Sequence, residues 1–210
     1  MEASKYIDHT LLKAYATKDE IKALCNEAKE YNFKSVCVNP DFVVCAKSEL
    51  KGTDILVCTV IGFPLGANTT KTKVFEAVDA INNGANEIDM VINISKAKEH
   101  DYTYIYEEIK EVKEAIRDHT LKVIIETCYL TEEEIVEISK RVKQANANFV
   151  KTSTGFGTGG AKVEDVKLIK SVVGDFDIKA SGGIKTKEDF IKMIEAGATR
   201  IGTSNGKNLI

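Results

Sequence analysis

The stretch DIKASGGIKTKEDFIKMIEAGATRIGT, Asp177–Thr203, holds a complete strand–helix–strand unit. Ile178 and Ala180 alternate with Asp177, Lys179 and Ser181, the two-residue period of an extended strand. Thr186-Lys-Glu-Asp then reads as a capped helix start with acids on the positive end of the dipole. A helical period covers residues 186–196, and Gly197 stands where a helix stops in a left-handed turn. Arg200–Thr203 follows as a second short strand. Two strands joined through a helix by short connections lie parallel.

Outward from this unit, the same alternation fills the chain. Strands are predicted at Tyr6–Thr10, Ser35–Asn39, Ile55–Phe63, Glu87–Asn93, Lys122–Thr127, Phe149–Ser153, Asp177–Ser181 and Arg200–Thr203. Helical periods lie between them, at about residues 18–31, 41–50, 70–83, 95–118, 131–145, 162–173 and 186–196. Thr131-Glu-Glu-Glu repeats the capped start, and Gly84 repeats the glycine stop. This pattern predicts an α/β chain folded as a single (β/α)8 TIM barrel over residues 1–210, with an incomplete or very short eighth helix. The alternative is an open doubly wound sheet. That fold calls for a G-x-G-x-x-G after the first strand, and residues 6–13 contain no glycine.

Composition narrows the function classes. The 210 residues are 43% hydrophobic and 29% charged, with a formal net charge of −3. Charges of both signs are spread along the chain with no basic block, which points away from nucleic acid. The apolar runs, such as Ile55–Ile61, fall short of the ~20 residues a membrane span needs. The N-terminus shows no charged-then-apolar signal pattern. Cys25, Cys37, Cys45, Cys58 and Cys128 form no C-x-x-C and have no histidines at ligand spacing. A reduced cytoplasmic protein without metal or cofactor is the expectation.

Strand parity places the chemistry. In Glu87–Ile92, Ile88, Met90 and Ile92 share a face opposite Glu87, Asp89 and Val91. In Phe149–Ser153, Val150 and Thr152 oppose Lys151 and Ser153. With the apolar faces against the helices, Asp89, Lys151 and Lys179 point into the barrel. A single strand lysine is most often solvated at a rim, and a single strand aspartate is most often a structural acceptor. Their convergence at the barrel end where catalytic groups gather favours chemistry. Two neighbouring ammonium groups depress each other's proton affinity, a free amine attacks carbonyls, and a carboxylate can move protons through a water. Ser181-Gly-Gly-Ile and Ile201-Gly-Thr-Ser-Asn-Gly follow the seventh and eighth strands, where such barrels bind phosphate on backbone N–H groups. The Gly155-Phe-Gly-Thr-Gly-Gly loop reads as a mobile flap or a plain linker.

Seven motifs resemble the deoxyribose-phosphate aldolase family. They are Ile7-Asp-His-Thr-Leu-Leu, Ser35-Val-Cys-Val-Asn-Pro, Val60-Ile-Gly-Phe-Pro-Leu-Gly-Ala, Val123-Ile-Ile-Glu-Thr, Val150-Lys-Thr-Ser-Thr-Gly-Phe, Ile178-Lys-Ala-Ser-Gly-Gly-Ile and Arg200-Ile-Gly-Thr-Ser. The resemblance runs in register from about residue 6 to residue 206. It implies a class I aldolase that reversibly cleaves 2-deoxy-D-ribose 5-phosphate to D-glyceraldehyde 3-phosphate and acetaldehyde. By that resemblance Lys151 is the Schiff-base nucleophile, Lys179 perturbs it and shuttles protons, and Asp89 gives and takes protons through water. Asp8 anchors Lys179, and Cys37 lies near the pocket, where it reads equally as a buried small residue. Gly155, Gly182, Gly183, Gly202 and Ser204 match the phosphate loops.

Two departures carry expectations of their own. Some relatives have a lysine where this chain has Phe156, so phosphate charge should fall on backbone donors and Lys185. Relatives often continue into a tail with a tyrosine, whereas here the last residues are Gly206-Lys-Asn-Leu-Ile. A missing eighth helix would leave an apolar seam between the last and first helices, which a second copy in a homodimer would cover. Other readings are a Schiff-base lyase or transaldolase-like transferase acting on a ketose phosphate, or a non-catalytic sugar-phosphate-binding barrel.

Overall fold

The computed structural model describes residues 2–210. Eight strands, β1 (Ile7–Leu11), β2 (Ser35–Val38), β3 (Leu56–Ile61), β4 (Glu87–Val91), β5 (Thr120–Ile124), β6 (Phe149–Lys151), β7 (Asp177–Ser181) and β8 (Arg200–Thr203), close into one barrel. Each pairs parallel with the next, and β1 closes against β8 with Asp8 opposite Gly202. The helices α1 (Lys18–Tyr31), α2 (Val43–Glu49), α3 (Thr70–Asn82), α4 (Ile94–Lys98), α5 (Tyr102–Ile116), α6 (Glu132–Gln144), α7 (Val163–Val173) and α8 (Lys187–Glu195) form the outer layer. This is the (β/α)8 barrel the alternation predicts.

Local chemistry sets the element ends. Thr131 and Thr186 each make a full capping box, with Glu134 and Asp189 as the reciprocal acceptors. Gly84 and Gly197 carry φ of 105° and 114°, a conformation that L side chains rarely adopt. The single helix predicted over residues 95–118 is two, α4 and α5. His100 turns left-handed at φ 58°, and Asp101 starts a new helix by accepting from the Tyr104 N–H. The strand predicted at Lys122–Thr127 instead begins at Thr120 and ends at Ile124, because Glu126 is left-handed at φ 55°. Tyr6, predicted as strand, sits in a 3-10 turn over Ala3–Tyr6.

After β8 there is only the 3-10 turn Gly206–Asn208. The apolar seam expected there is filled. Leu209 is fully buried, Gly206 lies against Phe33 and His9 with no room for a Cβ, and Tyr6 meets Phe190 edge-on. That seam therefore does not call for a second subunit to cover it.

The main core lies between barrel and helices. Ile88, Met90, Val150, Ile178 and Ala180 point outward onto helix residues such as Ile21, Ile105, Ile109 and Ile169. Each large aliphatic side chain buried there contributes about 1.5–3 kcal/mol. One ion pair crosses this layer: Lys73 of α3 meets Glu108 of α5 at 2.8 Å, both fully buried. Lys73 also donates to the Val91 carbonyl, and Glu108 accepts from the Asn93 N–H, so the pair fixes the exit of β4.

Candidate active site

The barrel interior is ionic where such barrels usually stack branched aliphatics. The inward positions of adjacent strands bring charged residues side by side, with Asp89 opposite Lys122, Lys151 opposite Lys179, and Lys179 opposite Arg200. Asp89 stands at the centre. Its Oδ2 accepts from Lys151 and Lys179, both at 2.7 Å, and its Oδ1 accepts from Lys122 at 2.9 Å and the Cys58 thiol at 3.1 Å. Lys179 also meets Asp8 at 2.5 Å, and Lys122 meets Glu87 at 2.6 Å. Beneath them Arg200 bonds Asp8 at 2.7 Å and Glu87 at 3.1 Å, and Ser35 donates to Asp8. Asp8, Glu87 and Asp89 thus face Lys122, Lys151, Lys179 and Arg200, three carboxylates against four cations.

Burial makes these pairings decisive. It would push the Asp89 carboxyl upward, but Lys122, Lys151 and Lys179 override it and hold the group well below the usual carboxylate range. Asp8 behaves alike, with Lys179 and Arg200 the main opposing charges. For Lys179, burial favours the neutral amine, yet Asp8 and Asp89 outweigh it and raise its proton affinity above that of a free lysine. Lys179 is therefore a held positive charge beside Lys151. Burial pushes the Cys58 thiol upward.

The residues expected at the site come together. A cavity of about 240 Å³ opens at the C-terminal ends of the strands and is lined by Lys151, Gly155, Gly182, Gly183, Lys185, Gly202 and Ser204. Lys151 is the one member of the ionic group on the cavity wall; Lys179, Asp89 and Asp8 lie behind it. Gly182 and Gly183 have φ of 83° and 81°, which turns the chain after β7 so that its backbone faces the opening. Gly202 lies against Lys179, where a Cβ would come within 3.0 Å of the lysine Cε. Cys37 is fully buried beside Leu12, Cys58, Val60 and Phe63, off the cavity wall, with its thiol close to the Cys58 thiol and the Asp89 carboxylate. Cys37, Cys58 and Asp89 lie close enough to suggest a metal cluster, but Asp89 is already engaged by three ammonium groups.

Other participants were not foreseen. Lys122, Cys58, Glu87 and Arg200 complete the ionic interior, while Thr154 and Ser181 join the cavity wall. Lys122 was obscured because its face also carries the apolar Ile124, opposite Leu121, Val123 and Ile125, so both faces of that strand read as apolar and parity alone does not say which turns inward. The Gly155–Gly160 loop is anchored rather than free. The Thr154 N–H and hydroxyl bond Glu126, the Ala161 N–H donates to the Ser181 and Gly182 carbonyls, and Phe156 packs edge-on against Phe63 at 5.4 Å.

A closed barrel with an amine on a carboxylate at its open end, beside glycine turns, defines a barrel enzyme of the aldolase class. Comparison with known proteins makes this specific: residues 3–209 match the model of the DeoC/LacD family aldolases, and the chain belongs to that family. It is 61% identical to the deoxyribose-phosphate aldolase of Thermoanaerobacter sp. (strain X514), over 100% of this chain and 96% of the relative. It is 59% identical to that of Staphylococcus carnosus, again over 100% and 96% of the two chains. Among solved structures, the tetrameric deoxyribose phosphate aldolase from Aeropyrum pernix superposes with a TM-score of 0.90 at 30% identity, covering 99% of this chain and 88% of that one. The enzyme is an aldolase, a carbon–carbon lyase.

Proposed function

We propose that this aldolase reversibly cleaves 2-deoxy-D-ribose 5-phosphate to D-glyceraldehyde 3-phosphate and acetaldehyde through a Schiff base on Lys151. The observation that carries the assignment is the singular position of Lys151, a wall residue of the cavity whose amine rests on Asp89. The names of the relatives supply the substrate. Lys151 gives up a proton through water and adds as the free amine to the C1 aldehyde; a proton returned to the carbinolamine hydroxyl lets it leave as water, and the resulting protonated imine draws electrons from the adjoining carbons. A base takes the C3 hydroxyl proton, the C2–C3 bond breaks, and its electron pair becomes the enamine. The C3 fragment leaves as the aldehyde of glyceraldehyde phosphate. Protonation of the enamine at C2 and hydrolysis of the imine release acetaldehyde and free Lys151. Asp89, acting through water, is the proton carrier, and Lys179 keeps the surroundings positive while Asp8 holds it in place.

The ionic interior suits this chemistry because the ammonium and iminium forms of Lys151 carry the same charge. Forming the intermediate leaves the balance around Asp89 unchanged. The 5-phosphate is assigned to the backbone at Gly155, Gly182, Gly183 and Gly202, with Ser204, and Lys185 adds a distant charge. Exposed Phe75 and Val78 on α3 support self-association as a homodimer, to be checked by sedimentation at micromolar concentration. Five free cysteines support a cytoplasmic setting. No described helix is long and apolar enough to cross a membrane.

The deciding experiment is borohydride reduction with acetaldehyde, followed by peptide mass spectrometry, alongside cleavage of deoxyribose 5-phosphate by wild type and Lys151→Ala. The adduct should sit on Lys151 and the variant should be inactive. An adduct elsewhere sinks the assignment, and absence of any adduct would favour a binding protein. Cleavage of a ketose phosphate in preference would favour the transferase alternative.

A further inference from the structure

Glu126 is buried two residues past the end of β5, off the cavity wall, in a left-handed conformation that is uncommon for a non-glycine residue. Its carboxylate meets no cation within ion-pair distance among the described residues. Its partners belong to the next strand's exit. The Thr154 N–H donates to Oε1 at 3.2 Å and to Oε2 at 3.3 Å, and the Thr154 hydroxyl donates to Oε2. With its proton committed to Glu126, the Thr154 hydroxyl oxygen is free to accept the Phe156 N–H at 3.0 Å. The loop then lies directly on this base. A Cβ at Gly157 would come within 3.2 Å of the Glu126 carboxyl carbon and 2.8 Å of the Cys128 sulfur.

At its other end the loop abuts the turn after β7. A Cβ at Gly160 would sit 2.2 Å from the Gly182 carbonyl oxygen, and the Ala161 N–H donates to the Ser181 and Gly182 carbonyls, both at 3.0 Å. A continuous line of contacts therefore joins Glu126 to Thr154 and Phe156, and through Gly160 and Ala161 to Gly182. We infer that Glu126 is a positioning residue that, through loop 154–161, sets the backbone which receives the substrate's phosphate. The inference rests on the phosphate site proposed above. Glu126 touches neither Lys151 nor Asp89 in the hydrogen-bond network, so its effect falls on the phosphate end and leaves imine formation alone.

The test compares wild type, Glu126→Gln and Glu126→Ala on deoxyribose 5-phosphate and on unphosphorylated deoxyribose, with borohydride trapping of acetaldehyde as a third readout. Losing a buried acceptor for two donors should raise KM for the phosphorylated sugar by about tenfold in Glu126→Ala, with kcat nearly kept. Glu126→Gln keeps one acceptor oxygen and should fall between. KM for deoxyribose and the trapping rate should match wild type in both, and inhibition by inorganic phosphate should weaken in step with the KM change. If Glu126→Ala does not fold, Glu126→Gln decides by the same comparison. Equal losses on both sugars, slowed trapping, or no KM change overturns the inference. A wild type that binds both sugars equally well removes the phosphate site itself, a different result from a discriminating wild type whose variants shift both sugars alike.

Discussion

Replacing Asp89 with asparagine removes the anion that three lysines share, and the three lose it unequally. Lys122 keeps Glu87 at 2.6 Å and Lys179 keeps Asp8 at 2.5 Å, whereas Asp89 is the one acceptor of Lys151 among the described residues. Breaking a buried ion pair commonly costs 3–5 kcal/mol; with two of three cations still paired and the amide still accepting, about 3 kcal/mol is expected here. The four-to-three charge count becomes four to two, which adds to the cost at neutral pH. Activity should fall separately, by about 10²–10⁴ in kcat, the usual worth of a positioned proton carrier. Urea unfolding at pH 7 reads the first effect. Turnover of deoxyribose 5-phosphate, at a temperature where the variant stays folded, reads the second. Borohydride trapping should still label Lys151, because its amine remains on the cavity wall. A variant as stable as wild type refutes the shared-anion account, and a kcat within threefold of wild type refutes the proton-carrier role.

Three further outcomes follow from the same geometry. The carboxyls of Asp8 and Asp89 are depressed, so their stabilising contribution is full above the unfolded carboxylate value of about 4 and is lost as pH falls through their lower folded values. The raised Lys179 contributes fully below about pH 10 and is lost as pH rises through its folded value, so denaturant titrations from pH 5 to 9 should show no change traceable to these three groups. Lys73→Met should destabilise by roughly 3–5 kcal/mol by stranding Glu108, and adding Glu108→Gln should recover part of that; equal single and double mutants refute the pairing. Lys185→Ala should raise KM for the phosphorylated sugar by no more than about threefold because the side chain is exposed and screened, and a hundredfold loss would return phosphate recognition to this lysine.

Much of this was legible because barrels obey short-range rules. The period of two assigned Ile88 and Ile178 to the core and Asp89, Lys151 and Lys179 to the interior, and cap chemistry located the start of α6 and of α8. What remained hidden depends on partners far apart in the chain. Asp8 meets Arg200 across 192 positions, and nothing local to either says so. Lys122 shares its strand face with Ile124, so both faces of β5 read as apolar and the alternation gives no direction. His100 breaks a helix whose apolar period continues on both sides, so periodicity alone joins α4 to α5. Glu126 looked like one motif residue among five because its role lies in a left-handed backbone and a bond to the neighbouring strand's exit.

The junction of β1 with β8 has a consequence for how the enzyme comes into being. Asp8, made first, finds Arg200 only when almost the whole chain has been synthesised, and Lys179 needs that same Asp8 to hold it in place. The reactive centre cannot mature piece by piece as the polypeptide leaves the ribosome. Contacts between such distant positions form slowly. During refolding, helix content should return before imine-forming competence does, and the interval between the two signals measures how long the ring waits for its ends to meet.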